Sequence, residues 1–136
     1  MLLTDKKIII FGVANKFSIA TGIAKSMIEH GAEIALAYQN ERLLKNIEPI
    51  AKSLGIEVLV ECDVANDQSI DNCFQLISEK WKSFDGLVHS IGFAPADQLK
   101  GNFVDVTTRE GFKIAHDISS YSFTALAKAA KPMLND

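Results

Sequence analysis

An unbroken apolar run, Ile8-Ile-Ile-Phe11, followed at once by Gly12 and then by a change of period, limits this chain more than any other feature. Four consecutive apolar residues fit a strand buried on both faces, and glycine permits the sharp turn that ends it. The pattern then becomes helical. Ile19, Ile23, Met27 and Ile28 recur at i, i+4, i+8 and i+9, with Lys25, Glu29 and His30 at polar positions, so this stripe is expected to face a sheet. Strand, glycine turn and helix open a nucleotide-binding βαβ unit. The turn lets backbone approach a pyrophosphate, and the free N–H groups at the helix start aim donors at a negative charge. The spacing departs from G-x-G-x-x-G: it is Gly12-x5-Ser18-Ile19-Ala20-x-Gly22, with a hydroxyl where a glycine would stand. Ser18 is suited to cap the helix and to donate to a phosphate. From these residues alone an ordinary strand-to-helix turn is the competing reading.

The chain has 136 residues, enough for one domain with a single core. Its hydrophobic fraction of 48% and charged fraction of 23% are those of a soluble globular protein. A net charge of −3 argues against nucleic acid as a partner, because neutralising phosphates needs a basic surface. No run approaches the roughly 18 apolar residues of a membrane span, and Met1 leads into the first strand without a signal peptide, so a cytoplasmic protein is expected. Cys62 and Cys73 lack metal-ligand spacing. They read as buried free thiols of a reducing compartment, and no metal is expected.

Strand and helix signals alternate through the rest of the chain, which predicts a parallel sheet. Ala32 to Tyr38 is a second strand, and the next residue, where the adenosine ribose would lie, is Gln39 rather than an acid. NAD and NADP both stay open on that residue, with Arg42 nearby to accommodate a phosphate. A helix from about Asn40 to Leu54 stops at Gly55, and Pro49 inside it predicts a kink or two shorter helices. Ile56 to Cys62 is a third strand. It is followed by Asp63-Val64, a carboxylate placed to accept from an adenine amino group and an apolar side chain placed to cover the ring; a plain turn-capping role for Asp63 is the alternative. A third helix near Asn66 to Trp81 puts Ile70, Cys73, Phe74, Ile77 and Trp81 on a core face. Gly86 to Ser90 is a fourth strand, ending in Ile91-Gly92. In a sheet of order 3-2-1-4 this end lies across the switch point from Gly12, and Gly92 permits close approach to a ribose or nicotinamide. His89 reads as a strand residue with a hydrogen-bonded ring, since no acid partner supports a nucleophilic Ser90.

Residues 93 to 105 show no periodicity and read as a loop at the mouth of a site. Thr107 and Glu110 have capping-box spacing before a helix from about Thr108 to Lys131, with Pro132 placed to end it. Phe112, Ala115, Ile118, Phe123, Leu126, Ala127 and Ala130 spread beyond one stripe, which suggests one side against the sheet and one against a partner chain.

These residues together resemble the short-chain dehydrogenase/reductase family, and more closely its divergent branch, the bacterial NADH-dependent enoyl-acyl-carrier-protein reductases. The resemblance covers the whole chain and rests on Gly12-Val-Ala-Asn-Lys-Phe-Ser-Ile-Ala, Tyr38-Gln39, Cys62-Asp63-Val64, His89-Ser-Ile-Gly-Phe-Ala-Pro95 and Thr108 to Phe123. It implies an α/β fold, a Rossmann-type doubly wound parallel sheet whose first four strands run 3-2-1-4, with residues 1–136 as its dinucleotide-binding N-terminal part. It implies that Gly12, Ser18, Ile19, Gln39, Asp63, Val64 and Ile91 contact the dinucleotide and that Ala94 meets the acyl substrate or an inhibitor. Gln39 in place of an acid is usual in that branch and points to NADH. The implied reaction is reduction of the trans-2 double bond of an enoyl thioester on acyl carrier protein, in fatty acid biosynthesis, by a homotetramer.

The family's catalytic tyrosine and lysine follow a fifth strand, so none is expected among these residues, which read as the front half of a longer chain. Tyr121 and Lys128 have the same Y-x6-K spacing. At about 100° per residue, however, seven positions return to nearly the same helix face, so any long helix offers such pairs. The competing functions are a reductase or dehydrogenase acting on a ketone or alcohol, which the loop Ile91-Gly-Phe-Ala-Pro95 disfavours, and a nucleotide-binding module without turnover.

Overall fold

The computed structural model describes residues 1–136. Four parallel strands form its sheet: β1 (Lys7–Phe11), β2 (Glu33–Tyr38), β3 (Val58–Glu61) and β4 (Gly86–His89), in the order β3-β2-β1-β4. The expected order is therefore the observed one. Registers run Phe11 beside Ala37 and His89, and Tyr38 beside Glu61, so the strands finish close together on one rim.

Helices cover both faces. On one, α1 (Ile19–Glu29) and α2 (Glu41–Leu54) pack Ala20, Ala24, Ile47 and Ala51 onto Ile8, Ile10, Ile34 and Leu36. On the other, α3 (Asp67–Lys80) sets Ile70, Cys73, Phe74 and Ile77 against Ile9, Phe11, Ala35 and Val60, joined by Trp81, Phe84, Leu126 and Ala130. Alternate residues of β1 thus enter opposite cores, which is why its sequence is apolar at every position from Ile8 to Phe11. Trp81, almost wholly buried, donates its Nε1–H to Glu33 Oε1 at 2.7 Å and ties the end of α3 to the start of β2.

Three expectations need correction. Ile19 does not join the sheet-facing stripe: it is 78% exposed, and the buried face of α1 is made by Ala20 and Ala24, whose small side chains let the helix lie close to β1 and β2. Pro49 neither splits nor ends α2. Pro49 and Lys45 both face solvent, so the carbonyl that loses its proline-blocked partner is left to water. The capping residue before the last long helix is Thr108, whose Oγ1 accepts from Gly111 N–H at 3.0 Å; Thr107 instead gives its hydroxyl to Phe103 O and closes the short helix α4 (Phe103–Val106). That short helix, and a 3-10 turn at Ala96–Gln98, interrupt the stretch expected as loop.

The last helical region is three segments: α5 (Arg109–His116), a π turn (Asp117–Tyr121) and α6 (Ser122–Ala130). Beyond it Leu134 pairs in parallel with Phe84 just before β4, Asn135 N–H reaching Phe84 O at 2.8 Å and Phe84 N–H reaching Met133 O at 3.0 Å. No helix is long and apolar enough to cross a membrane.

Candidate functional site

Residues just past the carboxyl ends of all four strands enclose a cavity of about 300 Å³. Gly12, Val13 and Ala14 follow β1; Gln39 follows β2, with Leu43 from α2; Cys62 to Ala65 follow β3; Ser90 to Phe93 follow β4, and Ile118 closes the far wall. The crevice lies at the place where the crossovers from β1 and β4 diverge, the standard ligand position of an open α/β sheet.

Its floor is a close approach of two backbones. Gly12 has φ +112°, and a Cβ built on it would land on the Ser90 carbonyl. Ser90 N–H donates to Phe11 O at 3.0 Å, so β1 and β4 remain joined one residue past the end of β4. Only glycine meets both demands.

Ser18 stands at the N-cap position of α1 but does not cap it. Its Oγ accepts from Ala14 N–H at 3.1 Å and Asn15 N–H at 3.2 Å, folding the turn back on itself and leaving its proton for another acceptor. The first amides of α1 have no carbonyl before them within the helix, and no acidic side chain occupies its first turn. That combination suits a phosphate, as does the floor at Gly12. Ile19 lies at the same helix start, facing outward.

Asp63 makes a turn and keeps part of its carboxylate free. Its Oδ1 accepts from Ala65 N–H at 3.0 Å, which makes a turn, while its own N–H donates to Ser69 Oγ at 2.8 Å; the second carboxylate oxygen takes no protein donor. Gln39 is exposed at the rim, its amide uncommitted. Next to it, burial above all, and then the carboxylates of Glu61, Glu41 and Glu48, raise the Tyr38 phenol above its ordinary value, so it stays protonated. Cys62 at the cavity wall and Cys73 behind it are buried free thiols, and the neighbouring Cys62 thiol, together with burial, pushes Cys73 far above the usual thiol range.

His89 holds structure, as expected. Its Nε2 lies 2.8 Å from Ser122 Oγ, and Ser122 gives its own proton to Ile118 O at 2.6 Å, so Nε2 carries the hydrogen and donates. Six of the nine residues proposed for cofactor and substrate come together in the cavity lining: Gly12, Gln39, Asp63, Val64, Ile91 and Gly92. Ser18, Ile19 and Ala94 lie outside it. Tyr121 and Lys128 are exposed on the last helix, and neither reaches the cavity.

The family model described as Enoyl-(Acyl carrier protein) reductase matches residues 12–136. The chain belongs to that family. Among enoyl-acyl-carrier-protein reductases, the NADH enzyme FabI of Escherichia coli strain K12 is 56% identical over 133 residues, covering 98% of this chain and 51% of the relative. That of Haemophilus influenzae is 53% identical over the same span. Two solved reductases share the fold: one from Aquifex aeolicus at TM-score 0.95 and 46% identity, covering 99% of this chain and 53% of that one, and one from Anaplasma phagocytophilum, in complex with NAD, at 0.93 and 44%, covering 98% and 50%. The chain spans about half the length of the curated relatives it matches.

Within this reductase half, sequence reasoning missed Leu43, Cys62, Phe93 and Ile118 as cavity residues. Cys62 could have been found as the last residue before Asp63. Ile118 could not, because it reaches the site only through the packing of the last helix on β4.

Proposed function

We propose that residues 1–136 are the cofactor-holding half of an NADH-dependent enoyl-acyl-carrier-protein reductase of fatty acid biosynthesis. The observation that carries this is the crevice floored by Gly12 and Ser90, with α1 aiming its first amides at the same rim, in a chain of that family. When bound, the reduced nicotinamide supplies a hydride for the β-carbon of a trans-2-enoyl thioester. This half supplies the rest of the holding. Gly12, Ser18 and Ile19 hold the pyrophosphate by backbone and hydroxyl. Gln39 meets the adenosine ribose, Asp63 and Val64 the adenine, and Ile91 and Gly92 the nicotinamide ribose. Ala94 borders the acyl chain.

A tyrosine hydroxyl stabilising the enolate oxygen and a lysine holding the ribose belong to the remainder of the family's length, not to Tyr121 and Lys128. NADH is favoured over NADPH because relatives that match nearly the whole of this chain at 53–56% identity are NADH enzymes. The proposed assembly is a cytoplasmic homotetramer. Phe112, Tyr121 and Phe123, each about half exposed along one helical region, supply apolar surface for a second copy to cover.

The test is NADH oxidation with crotonyl thioester, measured on this chain and on this chain completed by the second half of the Escherichia coli relative. Turnover by the completed protein alone is expected. Turnover by neither would favour a binding module, and activity on ketones without activity on enoyl thioesters would overturn the substrate assignment.

A further inference from the structure

We propose that Ser119 is a positioning residue that fixes the Ile91 to Ala94 backbone over the nicotinamide end of the cavity; the proposal rests on the dinucleotide reading above. One hydroxyl holds both polar groups of a single residue 26 positions away. Phe93 N–H donates to Ser119 Oγ at 2.9 Å, and Ser119 Oγ donates to Phe93 O at 3.0 Å. A serine hydroxyl has one proton to give, and here it goes to the residue that also donates to it.

The loop is held at its two ends, by Ile91 packing on the core and by Gln98 N–H reaching Pro95 O at 2.9 Å, and between them by Ser119. Phe93 is 50% exposed, and a Cβ added to Gly92 would find open space, so packing does not set the position of these two residues. No other side chain bonds the backbone from Ile91 to Pro95. Yet Ile91, Gly92 and Phe93 line the cavity, opposite Gly12 and Val13.

The helix is built to keep Ser119 in place. In the π turn Ser122 N–H bonds to Asp117 O, an i to i−5 step, so Ile118 O loses the amide that an α-helix would give it. Ser122 Oγ takes up that carbonyl at 2.6 Å and accepts from His89 Nε2–H at 2.8 Å. Ser122 is wholly buried. Two hydroxyls from one turn of helix therefore fasten β4 at its last residue and the following loop four residues later. Replacement of the amide donor to Ile118 O by a hydroxyl anchors the turn, and Ser119 passes that rigidity to the loop.

Ser119→Ala and Ser119→Thr are compared with the unsubstituted chain by calorimetric titration with NADH and with ADP, which lacks the nicotinamide and its ribose, after circular dichroism of each. The expected result is about a tenfold weaker NADH affinity in S119A, ADP affinity unchanged, and NADH affinity restored in S119T, where the hydroxyl remains. Unchanged NADH binding in S119A overturns the proposal. So does an equal loss for both ligands, which would mark a general structural role, and so does a threonine variant as weak as the alanine one. An unsubstituted chain that binds neither ligand overturns the dinucleotide reading itself, and this proposal with it.

Discussion

The carbonyl of Ser90 occupies the place where a side chain on Gly12 would have to stand. This pair joins the turn after β1 to the turn after β4, and with φ +112° at Gly12 it makes the floor of the cavity intolerant of any larger residue. Gly12→Ala is expected to cost about 1–3 kcal/mol in stability through backbone strain and to abolish measurable NADH binding. Thermal unfolding and fluorescence titration of the variant check both.

Asp63 allows the adenine contact to be separated from the fold. Asp63→Asn keeps an oxygen for Ala65 N–H but replaces the free carboxylate oxygen with a donor. The melting temperature should stay within a degree or two of the parent, while NADH affinity falls by about tenfold, the equivalent of about 1.4 kcal/mol. An unchanged affinity would assign Asp63 to the turn alone.

Trp81→Phe removes the 2.7 Å bond to Glu33 and leaves a gap beside Phe84 in a nearly sealed core. Glu33 is exposed and turns to water, so the loss is expected to be about 2 kcal/mol, mostly from packing. Denaturant unfolding gives the figure directly, and nucleotide affinity should not change.

Asp85 receives Lys7 N–H at 2.9 Å, Asn135 Nδ2 at 3.1 Å and Lys6 Nζ at 3.1 Å, and these donors, the Lys7 amide foremost, lower its carboxyl to about 2. A carboxyl held below its unfolded value stabilises the fold above that value and loses the contribution as pH falls towards 2. The melting temperature of the parent should therefore exceed that of Asp85→Asn at pH 6, and the gap should close between about pH 4 and pH 2. A gap independent of pH would show that charge is not what Asp85 contributes.

The sheet was legible because each strand carries its own signal: β1 is apolar from Ile8 to Phe11, a glycine follows β1 and an acid stands shortly after β3, and the helices between have clear stripes. Ile19 misled because periodicity counts apolar residues without knowing how near the helix axis lies to the sheet. Close approach selected Ala20 and Ala24 instead. Pro49 misled because an interior proline is harmful only where the freed carbonyl cannot reach water. The π turn left no trace in the pattern, since Ile118, Ser119 and Ser122 fit an ordinary helix equally well, and with it the contacts to Phe93 and His89 were hidden. Residues local to a strand end, such as Gly12, Gln39 and Asp63, were readable at the site; a wall contributed from another element was not.

Leu134 meets Phe84 on the outer side of the sheet, and above that rung Leu87, Val88 and His89 have a neighbour on the β1 side only. That single rung is parallel, so a strand continuing from it along β4 would run the same way as the rest of the sheet. Those three residues are therefore where the sheet has room to widen, on the side away from β1.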